Sequence, residues 1–110
     1  MTEPTAIEWH RVARSSEVLA SAPKAVRIGN RLVALYRIAG KVYATDNICS
    51  HEFAELADGM LDGEYIECPL HQARFHVPTG KAASLPATED IATFPVRIEG
   101  EDVLVGLPRR

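Results

Sequence analysis

Four side chains in this sequence could hold metal together. Cys49 and His51 stand in Cys49-Ser50-His51; after sixteen intervening residues come Cys68 and His71 in Cys68-Pro69-Leu70-His71. These are the only two cysteines in the 110 residues, and each has a histidine two or three positions downstream. A thiolate is a soft anionic ligand and imidazole a neutral borderline one, so such a set suits zinc or an iron-sulfur cluster. Zinc fingers and ribbons usually pair like with like in each hook, whereas here each hook offers one thiolate and one imidazole. That alternation suits a two-iron cluster, with Cys49 and Cys68 on one iron and His51 and His71 on the other, each loop straddling both metals. A single disulfide is the bland alternative, and it would leave both histidines without a reason to sit where they do.

The elements that must position these hooks read as strands and turns. Residues 7–12 alternate apolar and polar, as a half-buried strand does. Ser15 and Ser16 look like a serine-capped helical turn that ends before Pro23. Residues 25–28 and 31–38 form two strands joined at Gly29-Asn30, and Ala39-Gly40 turns the chain into a third over 41–45. The first hook follows that strand end closely. Asp58-Gly59 and Asp62-Gly63 are turn signals around Met60-Leu61, and residues 64–67 lead into the second hook. Residues 74–77 leave it as a short strand stopped by Pro78-Thr79-Gly80. Residues 82–90, with Pro86, read as a surface connection, and 94–99 with 102–105 as a closing hairpin across Gly100-Glu101. Short strands with turns at this spacing, and no long helical pattern, predict an all-β fold, a small antiparallel sandwich or barrel.

Composition bounds the rest. The length suits one domain over 1–110 with one modest core. Hydrophobic residues at 46% and charged residues at 25% are ordinary for a globular chain. The net charge of −3 and the scattered basic residues argue against nucleic acid as a partner. No run approaches a membrane span and the N-terminus does not resemble a signal peptide, so no membrane partner and a cytoplasmic location are expected.

The segment Tyr43-Ala44-Thr45-Asp46-Asn47-Ile48-Cys49-Ser50-His51, and Glu67-Cys68-Pro69-Leu70-His71-Gln72-Ala73-Arg74-Phe75 with Thr79-Gly80-Lys81-Ala82 after it, resemble the Rieske-type [2Fe-2S] ferredoxins of bacterial aromatic ring-hydroxylating dioxygenase systems. The likeness extends to the closing Phe94-Pro95-Val96. It implies a small β-sandwich of the Rieske type, with a cluster-binding subdomain at about residues 45–80 formed by two loops. Its cofactor would be one [2Fe-2S] cluster, ligated by Cys49, His51, Cys68 and His71. It also implies a carrier and not an enzyme: a monomer passing single electrons from an NAD(P)H-dependent flavoprotein reductase to a terminal oxygenase by transient docking at the cluster end. Two other functions compete, a Rieske small subunit of a nitrite reductase-type complex and a zinc-stabilised interaction domain.

Charge counting fits this reading. Two ferric ions, two sulfides and two thiolates sum to zero, so the centre accepts an electron more readily than an all-thiolate cluster. With no third cysteine and no hydroxyl among Gln72, Ala73, Arg74 and Phe75, a potential near the low end of the Rieske range, about −150 mV, is expected. No Gly-x-Gly-x-x-Gly fingerprint is present, so a separate reductase must handle the nicotinamide. His10 and His76, each alone on a strand, are assigned no function. Phe75 and Tyr65 are expected as core aromatics beside the hooks. Glu52, Glu55, Asp58 and Asp62 could form a docking face, though an acidic run is more often solvated surface.

Overall fold

The computed structural model describes residues 7–20, 22–48, 55–69, 73–84 and 89–108. Its strands are β1 (Ile7–Arg14), β2 (Lys24–Ile28), β3 (Arg31–Ile38), β4 (Lys41–Asp46), β5 (Met60–Asp62), β6 (Tyr65–Glu67), β7 (Arg74–His76), β8 (Thr93–Phe94), β9 (Val96–Glu99) and β10 (Asp102–Pro108). They form three antiparallel sheets, β1-β10-β9, β2-β3-β4-β8 and β5-β6-β7. The expected all-β class is what forms.

The hairpins fall where the turn chemistry put them. Ile28 pairs with Arg31, Ile38 with Lys41 and Glu99 with Asp102, leaving two-residue loops at 29–30, 39–40 and 100–101. Ala39 and Gly40 both take positive φ, +51° and +81°, the pattern of the hairpin turn whose twist matches that of the strands.

Three local expectations need correction. The turn at Ser15–Glu17 begins on Arg14, not on a capping serine: the Arg14 N–H donates to the Glu17 carboxylate at 2.9 Å, and the Ser15 hydroxyl instead accepts from the Arg37 guanidinium at 2.7 Å. The first strand runs on to Arg14, absorbing a bulge between Arg11 and Ala13 that breaks simple alternation. Residues 94–99 are not one strand. Pro95 has no N–H for a ladder, and at that point the chain crosses from β8, paired to β4, into β9, paired to β10.

The core has two parts that share β3. Val33 and Leu35 face a sandwich interior with Ala13, Val18, Val42, Ala44, Phe94, Val103 and Val105. Ala34 and Tyr36, on the opposite face, join Leu56, Ile66, Cys68, Ala73, Phe75, Val77 and Ile91 beneath the small β5-β6-β7 sheet. The Tyr36 hydroxyl is satisfied there by the Thr45 hydroxyl at 2.8 Å, which itself donates to the Asp46 carbonyl. Burial pushes the Tyr36 phenol above its usual range, against a smaller downward pull from the Thr45 bond.

At the end of β7 the chain turns through Gly80, at φ +77°, whose N–H donates to the His76 carbonyl at 2.7 Å. A Cβ there would overlap the Ile91 carbonyl oxygen, backbone that holds the turn in place. Gly80→Ala is therefore expected to lower stability by about 1–3 kcal/mol. A fall in the denaturant midpoint of that size checks this; an unchanged midpoint would mean that the turn relaxes freely.

Candidate metal centre

The second hook is carried by the β6–β7 hairpin. Ile66 pairs with Phe75 and Glu67 with Arg74. One step further out, the Cys68 N–H donates to the Ala73 carbonyl at 2.7 Å, closing the base of a loop over residues 68–73. Cys68 is 1% exposed, packed with the apolar side chains beneath the small sheet, and forms no disulfide. Pro69, the next residue, is exposed. Burial thus passes to solvent within one peptide, which leaves the thiol at the root of the loop with its apolar wall behind it.

Of the other expected ligands, Cys49, His51 and His71 lie outside the described residues, so the structure places one of the four and the feet of both loops. The feet of the first loop are built differently from those of the second. Strand β4 ends at Asp46, whose N–H donates to the Ala92 carbonyl at 2.9 Å. Asn47 follows, fully buried. Its backbone N–H donates to the Leu32 carbonyl at 3.1 Å and its carbonyl accepts from the Leu56 N–H at 2.6 Å. The side-chain oxygen accepts from the Ala57 N–H at 2.8 Å, and the amide nitrogen donates to the Glu55 carboxylate at 2.8 Å. A single antiparallel bridge joins Ile48 to Glu55. Asn47 was not singled out from the sequence. An asparagine just past a strand end, two residues before an expected ligand, is the signal that could have found it, because Asn side chains bond to nearby backbone.

The remaining candidates sort clearly. Both ring nitrogens of His76 are occupied, Nδ1 with the Thr79 hydroxyl at 2.9 Å and Nε2 with the Glu64 carboxylate at 2.8 Å, so this histidine fastens a turn. His10 lies 3.4 Å from Glu8 on β1, in the β1-β10-β9 sheet. Phe75 is fully buried as expected, but Tyr65 is 38% exposed, a correction with a plain cause. It precedes Ile66 on a two-sided strand, so if Ile66 points inward Tyr65 must point out. There it lies beneath the Arg74 guanidinium, 5.2 Å from the ring centroid. Among the acidic residues, Glu55 is committed to Asn47 and Asp62 to Arg74 at 3.0 Å, Asp58 sits in the single turn Leu56–Asp58, and Glu52 lies outside the described residues.

The donor set fits a two-iron cluster on physical grounds. A buried sulfur against apolar side chains is a poor place for a net charge, and two thiolates with two neutral imidazoles leave the oxidised centre neutral. The Cys68 root supplies such a wall, and the loop base closed by backbone bonding keeps the sulfur there.

Residues 8–95 match the model of the Rieske [2Fe-2S] domain. The ferredoxin component of the naphthalene 1,2-dioxygenase system of Pseudomonas putida is 44% identical over 101 residues, spanning 92% of this chain and 97% of that protein. Among solved structures, the Sphingomonas yanoikuyae B1 ferredoxin superposes with a TM-score of 0.88 at 37% identity, covering 92% of this chain and all of the other. The ferredoxin seen with its oxygenase in the carbazole 1,9a-dioxygenase complex gives 0.85 at 36%, over 93% and 95% of the two chains. With the fold, the Cys68 root and these likenesses together, the chain belongs to the Rieske [2Fe-2S] domain family and, within it, to the ferredoxins of dioxygenase systems.

Proposed function

We propose that this protein is the ferredoxin of an aromatic ring-hydroxylating dioxygenase system, taking electrons one at a time from an NAD(P)H-dependent flavoprotein reductase and delivering them to a terminal oxygenase. The observation that carries this reading is the near full-length likeness to the ferredoxin component of a naphthalene dioxygenase system, supported by the ferredoxin–oxygenase complex among its structural relatives. The whole of 1–110 acts as one domain, a cytoplasmic monomer that docks transiently with each partner.

The cluster, when bound, supplies a one-electron ferric/ferrous couple. Cys49 and Cys68 hold one iron with thiolate, and His51 and His71 hold the other with neutral imidazole. The imidazoles keep the oxidised site free of net charge, and the apolar residues around Cys68 exclude water from the thiolate side. Partners dock at the loop end, because the opposite side of β3 is closed by the sandwich core. The sequence carries no Gly-x-Gly-x-x-Gly dinucleotide fingerprint, in keeping with hydride acceptance by the flavoprotein and oxygen chemistry at the oxygenase.

Reconstitution tests the role. With the reductase and oxygenase of a naphthalene or carbazole dioxygenase system, adding this protein should raise product formation well above the ferredoxin-free control, with two electrons drawn per ring oxygenated. No stimulation with either pair, from a protein that is red-brown and bleaches with dithionite, would refute it.

Two substitutions test the ligand set. His71→Cys should move the potential down toward the about −400 mV of all-thiolate clusters and change the EPR signal. His76→Gln, which removes only partly exposed contacts to Thr79 and Glu64, should leave both unchanged and cost under about 1 kcal/mol of stability. An unaltered spectrum in the first, or a lost cluster in the second, would overturn the assignment.

A further inference from the structure

The two loops are not held alike. At the second, a continuous hairpin ladder runs up to Glu67 and Arg74, and backbone bonding between Cys68 and Ala73 extends it. At the first, the ladder is reduced to the Ile48–Glu55 bridge, and Asn47 does the rest. Its amide reaches Glu55 and Ala57 on the far foot while its carbonyl holds Leu56, so four hydrogen-bonding groups of one buried residue tie both feet to each other and to Leu32 on β3. Leu56, fully buried, belongs to the same apolar group as Cys68. The first loop is thereby registered to the root of the second through one asparagine and one leucine.

We infer that Asn47 is a positioning residue for the cluster: it sets where the loop bearing Cys49 and His51 stands relative to Cys68, and through that the redox properties of the centre. The inference rests on the ligand assignment above. A displaced loop would alter the ligand angles at both irons and the access of water to the cluster, since His51 and Cys49 share that loop.

Chemical inversion of the Asn47–Glu55 pair gives the test. Asn47→Asp keeps the size and the acceptor for the Ala57 N–H but sets two carboxylates against each other. Adding Glu55→Gln restores a donor and acceptor with their direction reversed. The holoproteins are compared by redox titration, by EPR of the reduced state and by the half-life of the visible absorbance in chelator. Asn47→Asp should shift the potential and the g-values and shorten the half-life by about five-fold or more, the effect expected for one buried hydrogen bond. The N47D/E55Q pair should return all three toward wild type. Glu55→Ala, a change at an exposed side chain that removes the acceptor for the Asn47 amide, should move the same readouts in the same direction if Asn47→Asp fails to accumulate. Wild-type potential and EPR in both single variants, or a double variant no closer to wild type than Asn47→Asp, would overturn the inference. Failure of the ligand assignment is a separate outcome, visible as a wild-type protein without a Rieske-type EPR signal.

Discussion

Strand β3 is loaded on both faces, and the rest of the molecule is arranged around that fact. Four consecutive residues, Val33, Ala34, Leu35 and Tyr36, are fully buried, although strands in antiparallel sheets commonly keep one face wet. Successive side chains point to opposite faces, so the four divide between two apolar groups and one strand becomes a common wall. Its neighbours β2 and β4 pair with it on the two edges, β2 over Arg31–Leu35 and β4 over Val33–Ile38, so the backbone of Val33, Ala34 and Leu35 is flanked by strands on both sides. The one polar side chain the wall carries inward, the Tyr36 hydroxyl, ends on Thr45 across the β3–β4 pair.

The two sides of the wall have different duties. On the sandwich side, β1 and β10 pair over seven positions, a long run of ordinary strand packing. On the loop side, β5, β6 and β7 are three residues each, too short to stand alone. They depend on Ala34 and Tyr36 for the surface they cover, and on cross-links such as the Val77 N–H to the Glu64 carbonyl at 2.8 Å and the Phe75–Ala82 bridge. An electron carrier gains from this division. Its redox site must keep nearly the same geometry in both oxidation states while staying close to solvent and to partners, and a small sheet bolted to a rigid wall allows both.

The hairpins were legible because each is written in local chemistry, with Gly29-Asn30, Ala39-Gly40 and Gly100-Glu101 as turns, and a thiolate with an imidazole in each hook pointed to the Rieske family to which the chain belongs. What escaped was long-range or two-valued. Pro95 reads as an interruption, but only the pairing partners of Phe94 and Val96 show that the chain changes sheet there. Tyr65 reads as a core aromatic by type, yet its orientation is decided by Ile66 beside it. The serine at position 15 has the right type for a cap, but Arg37, arriving from β3, claims its hydroxyl and carbonyl. Asn47 looks like one more polar residue in a turn until Glu55, Leu56 and Ala57 are brought against it.

The contrast between the loop feet follows from how many residues each loop must span and what bounds it. The second loop sits at the tip of a hairpin, where both strands are already paired, so repeating backbone bonds fix its base whatever the side chains. The first loop leaves β4 and returns to the single turn Leu56–Asp58, an element with no strand partner for β4 to continue into. Without a ladder, the backbone groups of Leu56 and Ala57 needed acceptors from elsewhere, and a buried orphan N–H is costly. Asparagine meets that need because it presents a backbone carbonyl and a side-chain oxygen to consecutive N–H groups while its own amide finds Glu55. Glutamine would reach too far for the same geometry and aspartate would lack the donor. The identity of residue 47 is thus dictated by the same circumstance that makes its loop the one needing support.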